Sequence, residues 1–237
     1  MGASISKADF AALELVTPSS VSNGKTLCGS NRSLMTPSNC SIKVKTAMRI
    51  KSSAKYFINQ SEEPVIQVEQ ISTFGNGCLV KDGEGTVICF SKCSTGMANE
   101  TTRIYRSTPT FQGQAAAEGA RTGKNDDAQW FLFAVIKTKK TMSSATSIFS
   151  VVTGPGDGDL EELYTGQKYA NMNMHVVLRQ TGASENQVLA KLSMGGMKFS
   201  VATEMAQGVD LPAMVVLAGS LTGGGNAAGA LAGAGVV

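Results

Sequence analysis

Short blocks in which apolar and polar residues alternate occupy most of the chain between residues 41 and 203. The clearest block spans residues 41–51, where even positions are mostly apolar and odd positions carry four cations: Lys43, Lys45, Arg49 and Lys51. Alternation with a period of two is typical of a strand with one buried face and one exposed face. The block therefore predicts a strand that is apolar inside and cationic outside.

Further blocks of this kind predict roughly ten more short strands. They cover residues 56–59, 65–71, 78–80, 86–91, 103–105, 130–137, 146–152, 168–179, 188–194 and 198–203. We interpret residues 78–91 as a hairpin, because Asp82-Gly83 supplies the positive φ that a tight turn needs. Residues 112–127 and 154–162 are Gly-rich or polar and are predicted to be surface loops. So many short antiparallel strands indicate a barrel or a sandwich.

The C-terminal segment follows a different pattern, because apolar residues cover every side of the helix predicted after Gly208. A helix without a polar face must be buried in protein or in lipid. A membrane span is one hypothesis, since residues 211–237 carry no charge, but the apolar run weakens well short of the ~20 residues that a span needs. We favour a helix buried in protein, followed by a Gly/Ala-rich tail at 223–237. The expected helix core is Val209, Leu211, Ala213, Met214, Val215, Val216 and Leu217.

The N-terminal sequence, MGASIS, matches the M-G-x-x-x-[ST] pattern for myristoylation of Gly2. Residues 1–40 are rich in Ser, Thr, Asn and Gly around a helix predicted at 7–15, and we interpret them as a flexible arm. One myristoyl chain binds membranes only marginally, so stable attachment needs a second signal. The cations at 43–51 can provide it, at about 1 kcal/mol each beside an anionic leaflet. The alternative is that they form an ordinary solvated strand face.

Charge and cysteine usage narrow the class of partner and the compartment. The chain has 237 residues and a net charge of +3, and no acid lies between Glu14 and Glu62. One positive region facing an anionic partner fits this distribution, whereas a generic nucleic-acid-binding protein would be basic throughout. The five cysteines have no C-x-x-C spacing, and the N-terminus lacks the apolar core of a secretory signal. We therefore expect reduced thiols in a cytoplasmic protein.

The sequence does not indicate catalysis. Nucleophilic catalysis needs a nucleophile, a base and an orienting group, and the single histidine, His175, lies within an alternating strand pattern. The acidic segment at 154–162 lacks the spacing of a calcium loop, and the cysteines lack a zinc pattern. We expect no enzymatic activity, no cofactor and no metal.

Motifs in this order resemble those of a known family. The hairpin at 77–90, GCLVKDGEGTVICF, is followed by Arg103-Ile104-Tyr105-Arg106, and Gly208-Val209-Asp210 lies between a strand at 199–203 and the apolar helix. This order resembles LURP-one-related proteins, which share a fold with tubby C-terminal domains and phospholipid scramblases. The resemblance covers residues 41–222. It implies a mainly β fold, an antiparallel barrel of about twelve strands enclosing a hydrophobic C-terminal helix.

The resemblance to tubby domains also implies binding of phosphoinositide head groups by basic residues on the barrel. No tubby ligand residue can be matched by motif, so Lys43, Lys45, Arg49 and Lys51 are nominated from the charge pattern. Secondary candidates are Arg103, Arg106, Lys137, Lys139 and Lys140. The chain departs from the family in its N-terminal arm, in its Gly/Ala tail, and in having Thr222 and glycine where charged residues commonly end the helix.

The leading hypothesis is a non-enzymatic, myristoylated peripheral membrane protein of the cytoplasmic leaflet. It divides into the arm at 1–40, the barrel domain at 41–222 and the tail at 223–237, and it acts as a lipid-binding or adaptor module. Anionic membrane lipids are the expected partners, protein partners are allowed, and nucleic acid is not expected. One alternative is a scramblase-like protein with a C-terminal membrane segment. Another is a structural component of a larger protein assembly.

Overall fold

A closed antiparallel barrel of twelve strands surrounds one helix in the computed structural model of the chain. The structure describes residues 4–21, 23–29, 31–47, 53–71, 77–95, 99–116, 128–141, 144–155, 159–170, 174–194 and 201–222. A closed barrel hydrogen-bonds every strand on both sides and so has no open sheet edge. The predicted fold class is confirmed.

The elements follow the chain from an N-terminal helix to a C-terminal one. They are α1 (Lys7–Ala12), β1 (Glu14–Leu15), β2 (Cys40–Ala47), β3 (Ser53–Ile58), β4 (Ile66–Gln70), β5 (Gly77–Asp82), β6 (Val87–Thr95), β7 (Asn99–Arg106), β8 (Phe131–Lys140), β9 (Ser144–Val152), β10 (Leu160–Ala170), β11 (Met174–Gln180), β12 (Gln187–Val188), β13 (Ala190–Met194), β14 (Val201–Met205) and α2 (Leu211–Thr222). Around the barrel the order is β10-β11-β13-β14-β2-β3-β4-β5-β6-β7-β8-β9, closing on β10, while β1 and β12 form a separate parallel pair.

One predicted strand is wrong, because residues 168–179 form two strands. β10 ends at Ala170 and β11 begins at Met174, and these two residues are partners in an antiparallel register. Asn171 and Asn173, which separate the two ends in the sequence, are residues that favour turns. The loop predicted at 154–162 is also shorter than expected, since β10 already begins at Leu160.

The helix α2 lies inside the barrel and supplies its core. Residues 211–221 are all buried, and the helix contacts β8, β9, β10 and β11. On β10, Gly166 allows close approach, because a Cβ there would lie 2.6 Å from Leu221 Cδ1. Six of the predicted central-helix residues lie in α2 and are buried, whereas Val209 is buried but precedes the helix, which begins at Leu211. No helix in the described part of the chain is both long and apolar enough to cross a bilayer.

Several apolar residues of the segment predicted as a flexible arm pack against the barrel. Ile5, Phe10, Leu13 and Leu15 cover Val188 and its neighbours on the outer surface, and Leu27 and Leu34 join the main core at one barrel end. These contacts join residues more than a hundred positions apart, which a local composition rich in Ser, Thr, Asn and Gly does not reveal.

Candidate functional site

The nominated lysines of β2 lie on the outer surface of the barrel. Lys43 and Lys45 are exposed, and Lys45 is the direct cross-strand partner of Lys55 on β3, which is also exposed. The Lys45 ammonium lies 4.7 Å from the centre of the Phe57 ring, a cation–π contact. We call Lys43, Lys45 and Lys55 the β2–β3 face. The predicted inside-outside alternation holds here, since Ile42 before Lys43 is buried and Val44 between the two lysines packs against the core.

Three of the predicted site residues lie outside the described part of the chain. These are the lipidation residue Gly2 and the nominated cations Arg49 and Lys51. Lys43 and Lys45 are therefore the nominated lipid-binding residues whose positions are known.

A second cationic surface was only partly foreseen. Lys92 on β6 is the direct partner of Arg103 on β7, and Lys137 and Lys139 follow on the same face of β8. All four side chains are exposed. We call Lys92, Arg103, Lys137 and Lys139 the β6–β8 face. The sequence signal for Lys92 is its place in an alternating block, but its position beside Arg103 depends on the strand register.

The two faces differ in the acids around them. The β2–β3 face is bordered by Glu204 on β14 and Glu69 on β4. Next to the β6–β8 face, the β9 partners of Lys137 and Lys139 are Ile148 and Thr146, and the β5 partner of Lys92 is Gly77. Ion pairs among the described residues use Lys25, Lys81, Lys140 and Lys191, and so leave both faces without one. Glu69 and Glu204 are themselves paired with Lys81 and Lys191. The β6–β8 face therefore stands out by its larger number of exposed cations, four against three.

The remaining secondary candidates serve the fold instead of this surface. The Arg106 guanidinium donates to the carbonyls of Thr108 and Pro109 and lies 4.5 Å from the centre of the Phe133 ring. The Lys140 ammonium forms an ion pair with the buried carboxylate of Glu100. Both cations are engaged and do not add to the exposed charge.

A buried carboxylate joins the N-terminal segment to the start of α2. Asp210 Oδ1 accepts from the Ala213 N–H at 3.2 Å, which caps the helix, and Oδ2 accepts from the Leu27 N–H at 2.6 Å. Burial raises the pKa of Asp210 to about 6, and hydrogen bonds from the backbone of Ala213, Leu27 and Cys28 limit that rise. Gly208 has φ of +75°, a left-handed conformation that glycine adopts without strain. The Gly-Val-Asp motif thus has a structural role.

His175 lies under α1 on the outer surface of β11. His175 is 6% exposed and its ring stacks on the Phe10 ring at a centroid distance of 4.2 Å, and Nδ1 has no hydrogen-bond partner among the described residues. Its cross-strand partners Tyr169 and Ser193 carry no charge at neutral pH. Burial lowers the pKa of His175, since a charged ring loses solvation there.

Acidification is expected to loosen α1 through this histidine. The native state binds the imidazole proton of His175 more weakly than the unfolded chain does. The contribution of neutral His175 to the free energy of unfolding is therefore present above about pH 6.5 and is lost as the pH falls through the native pKa of this residue. The chain has one histidine, so a single imidazole NMR resonance reports the titration. We expect a midpoint below about 6.5 that rises in Phe10→Ala. A wild-type midpoint at or above the unfolded value would contradict the burial argument.

The described residues include neither a reactive thiol nor a group of metal ligands. The five cysteines are free and buried, and burial raises the pKa of the Cys28 thiol to about 11, which suppresses the reactive thiolate. No group of three or more His, Cys, Asp or Glu side chains in the described segments could hold a metal ion. The most prominent exposed chemistry in these segments is the positive charge of the two faces.

Comparison of the chain with models of protein families, with curated proteins and with solved structures finds no match.

Proposed function

We propose that the protein is a non-enzymatic peripheral membrane protein that binds the anionic cytoplasmic leaflet through a myristoyl chain on Gly2 and cations of the barrel surface. The β6–β8 face is the observation that carries this proposal. It presents four exposed cations, without a neighbouring acid on the adjacent described strands and without an ion pair among the described residues. Such a surface attracts anionic head groups at about 1 kcal/mol per cation.

The place where the N-terminal segment crosses the barrel supports joint action of lipid and cations. Phe10 stacks on His175 of β11, whose partner Tyr169 on β10 pairs with Ser144 on β9. The next residue of β9, Ala145, pairs with Lys140 on β8, which is next to Lys139. Phe10 therefore lies at the same end of the barrel as Lys139, with β9 and β10 between β11 and the β6–β8 face. In this proposal, the myristoyl chain on Gly2 and the β6–β8 face contact the same membrane.

The β2–β3 face is the second, weaker membrane contact in this proposal. Lys43, Lys45 and Lys55 are exposed, but this face has three cations where the β6–β8 face has four. The five free cysteines support a reducing, cytoplasmic location.

We also propose membership of the tubby C-terminal-like group through its LURP-one-related branch. Two features support it: a twelve-stranded antiparallel barrel and a buried, fully apolar C-terminal helix that follows Gly208-Val209-Asp210. Phosphoinositides are the anionic lipids that this relationship favours, and adaptor activity would follow from holding a partner at the membrane.

Flotation with vesicles tests the proposal. The full chain, co-expressed with an N-myristoyltransferase, is mixed with vesicles of phosphatidylcholine alone or with added phosphatidylserine, and intact mass reports the acyl group. We expect the myristoylated wild type to bind phosphatidylserine vesicles stably and phosphatidylcholine vesicles only marginally, and we expect Gly2→Ala to lose the stable binding. Replacing Lys92, Arg103, Lys137 and Lys139 by Gln should weaken binding to the phosphatidylserine vesicles by up to roughly a thousandfold, because about 1 kcal/mol is lost at each of four cations.

The matched control replaces Lys43, Lys45 and Lys55 of the β2–β3 face by Gln, with a smaller expected loss. If wild type carries no acyl mass and floats no better than Gly2→Ala, the lipid anchor is excluded. If the β6–β8 variant floats as well as wild type on phosphatidylserine vesicles, this face is not the membrane contact. Adding a phosphoinositide to the vesicles then tests the lipid preference.

A further inference from the structure

A groove of about 490 Å³ crosses the outer surface of β7 and β8. Apolar side chains form most of its floor and sides, namely Phe111, Leu132, Val135, Val152 and Leu160. Arg103 and Lys137, two cations of the β6–β8 face, also line it. The groove thus combines an apolar surface with two positive charges.

One wall of the groove is held in place by hydrogen bonds. The Gln114 side chain donates to the Leu132 carbonyl at 2.6 Å and accepts from the Thr110 N–H at 2.6 Å. Arg106 holds the preceding turn through the carbonyls of Thr108 and Pro109. The concave shape therefore exists before any ligand arrives, which lowers the entropy cost of binding.

Charge and size define the class of ligand. No acidic side chain lines the groove among the described residues, and Arg103 and Lys137 form no ion pair within the described segments. The volume falls within the roughly 300–1,000 Å³ of small-molecule sites, which are mostly apolar with a few placed polar groups. A phosphate or carboxylate can accept from both cations, and a hydrocarbon chain fits the apolar floor.

We propose that this groove binds a free single-chain anionic amphiphile, with its phosphate or carboxylate between Arg103 and Lys137 and its hydrocarbon chain on Leu132 and Val135. This site goes beyond docking on a membrane, because its ligand is a dissolved molecule in a concave site. It shares two cations with the β6–β8 face, whereas Lys92 and Lys139 lie outside the groove.

Calorimetric titration of the full chain with hexyl phosphate, in the absence of vesicles, tests the groove. Inorganic phosphate measures the head group alone, and 1-hexanol measures the chain alone. We expect saturable binding of one hexyl phosphate, at least tenfold tighter than inorganic phosphate, since burial of two methylene groups already gives about tenfold. Arg103→Gln combined with Lys137→Gln should weaken binding by roughly tenfold or more, because two charge-assisted hydrogen bonds are lost.

The matched control is Lys92→Gln combined with Lys139→Gln, which removes the same charge outside the groove. The proposal expects this pair to leave hexyl phosphate binding nearly unchanged. Ala115→Glu, an exposed change in the groove wall that puts a negative charge there, should also weaken binding. Thermal unfolding of each variant verifies that it folds.

Three results would overturn the groove proposal: no saturable heat with hexyl phosphate, equal affinity for inorganic phosphate, or equal losses in the two double variants. Vesicle flotation tests the membrane proposal independently of the hexyl phosphate titration. Both double variants remove two cations of the β6–β8 face, so membrane docking predicts similar losses for them on phosphatidylserine vesicles. Only the groove proposal predicts that they differ with hexyl phosphate.

Discussion

Leu217→Ala is expected to lower the free energy of unfolding by about 4 kcal/mol, near the upper part of the range for leucine truncations in a core. Leu217 is fully buried in α2, and its Cγ lies 3.5 Å from the position that a Cβ on Gly166 would occupy. Gly166 has no side chain that could move into the cavity, and the strands around α2 are joined in a closed barrel. The site therefore relaxes little after truncation.

Urea unfolding followed by circular dichroism measures this loss as a lower midpoint with an unchanged m-value. Val87→Ala is the matched control, because Val87 is 36% exposed and its truncation should cost less than about 0.5 kcal/mol. A loss at Leu217 no larger than that at Val87 would mean that α2 is not the core of the barrel in solution. The same result would revive the membrane-segment hypothesis for this helix.

Asp210→Ala is expected to cost about 2 to 3 kcal/mol of stability at neutral pH. The change leaves the buried N–H groups of Leu27 and Ala213 without their acceptor, at about 1–3 kcal/mol each. Removal of a desolvated carboxylate offsets part of that cost. Both the helix cap and the link to the N-terminal segment are lost.

The pH dependence of this loss identifies the carboxylate. The native pKa of Asp210 is raised to about 6, so the native state binds the proton more tightly than the unfolded chain does. Protonation of Asp210 therefore adds to the free energy of unfolding. This contribution is fully present below about pH 4 and is lost as the pH rises through about 6. The stability difference between wild type and Asp210→Ala should therefore grow as the pH falls from 7 to 4, by about 3 kcal/mol at most.

Asp82→Ala is the control for the carboxylate. Asp82 Oδ1 also accepts from two backbone N–H groups, those of Glu84 and Thr86, but these hydrogen bonds lie in an exposed turn. Water can replace them, so a loss below about 1 kcal/mol is expected. A difference between wild type and Asp210→Ala that stays constant from pH 7 to pH 4 would show that the carboxylate is already solvated in the native state.

Local sequence pattern was sufficient for most strands of the barrel. The strand predicted at 146–152 lies within β9, and the one predicted at 188–194 includes all of β13 together with Val188 of β12. The pattern did not separate β10 from β11, because apolar residues continue through the connection on both sides of Asn171 and Asn173. Alternation with a period of two indicates which side chains of a strand are buried, but it does not indicate where the strand ends.

The candidate sites depended more strongly on register. Lys43 and Lys45 could be nominated because they alternate with apolar residues within one strand. Lys92 became a candidate only when β6 was aligned with β7, which brings it beside Arg103. On β8, Lys139 is exposed, whereas the ammonium of its neighbour Lys140 forms an ion pair with the buried carboxylate of Glu100.

The amino-acid sequence by itself determined the strand-rich body and the apolar character of the final helix, because both follow from the order of apolar and polar residues along a few turns of chain. Tertiary structure decided that α2 fills a barrel, that apolar residues of the N-terminal segment pack against it, and that cations from three strands share one face beside a groove. Such contacts join residues far apart in the chain, and only the closure of the sheet brings them together.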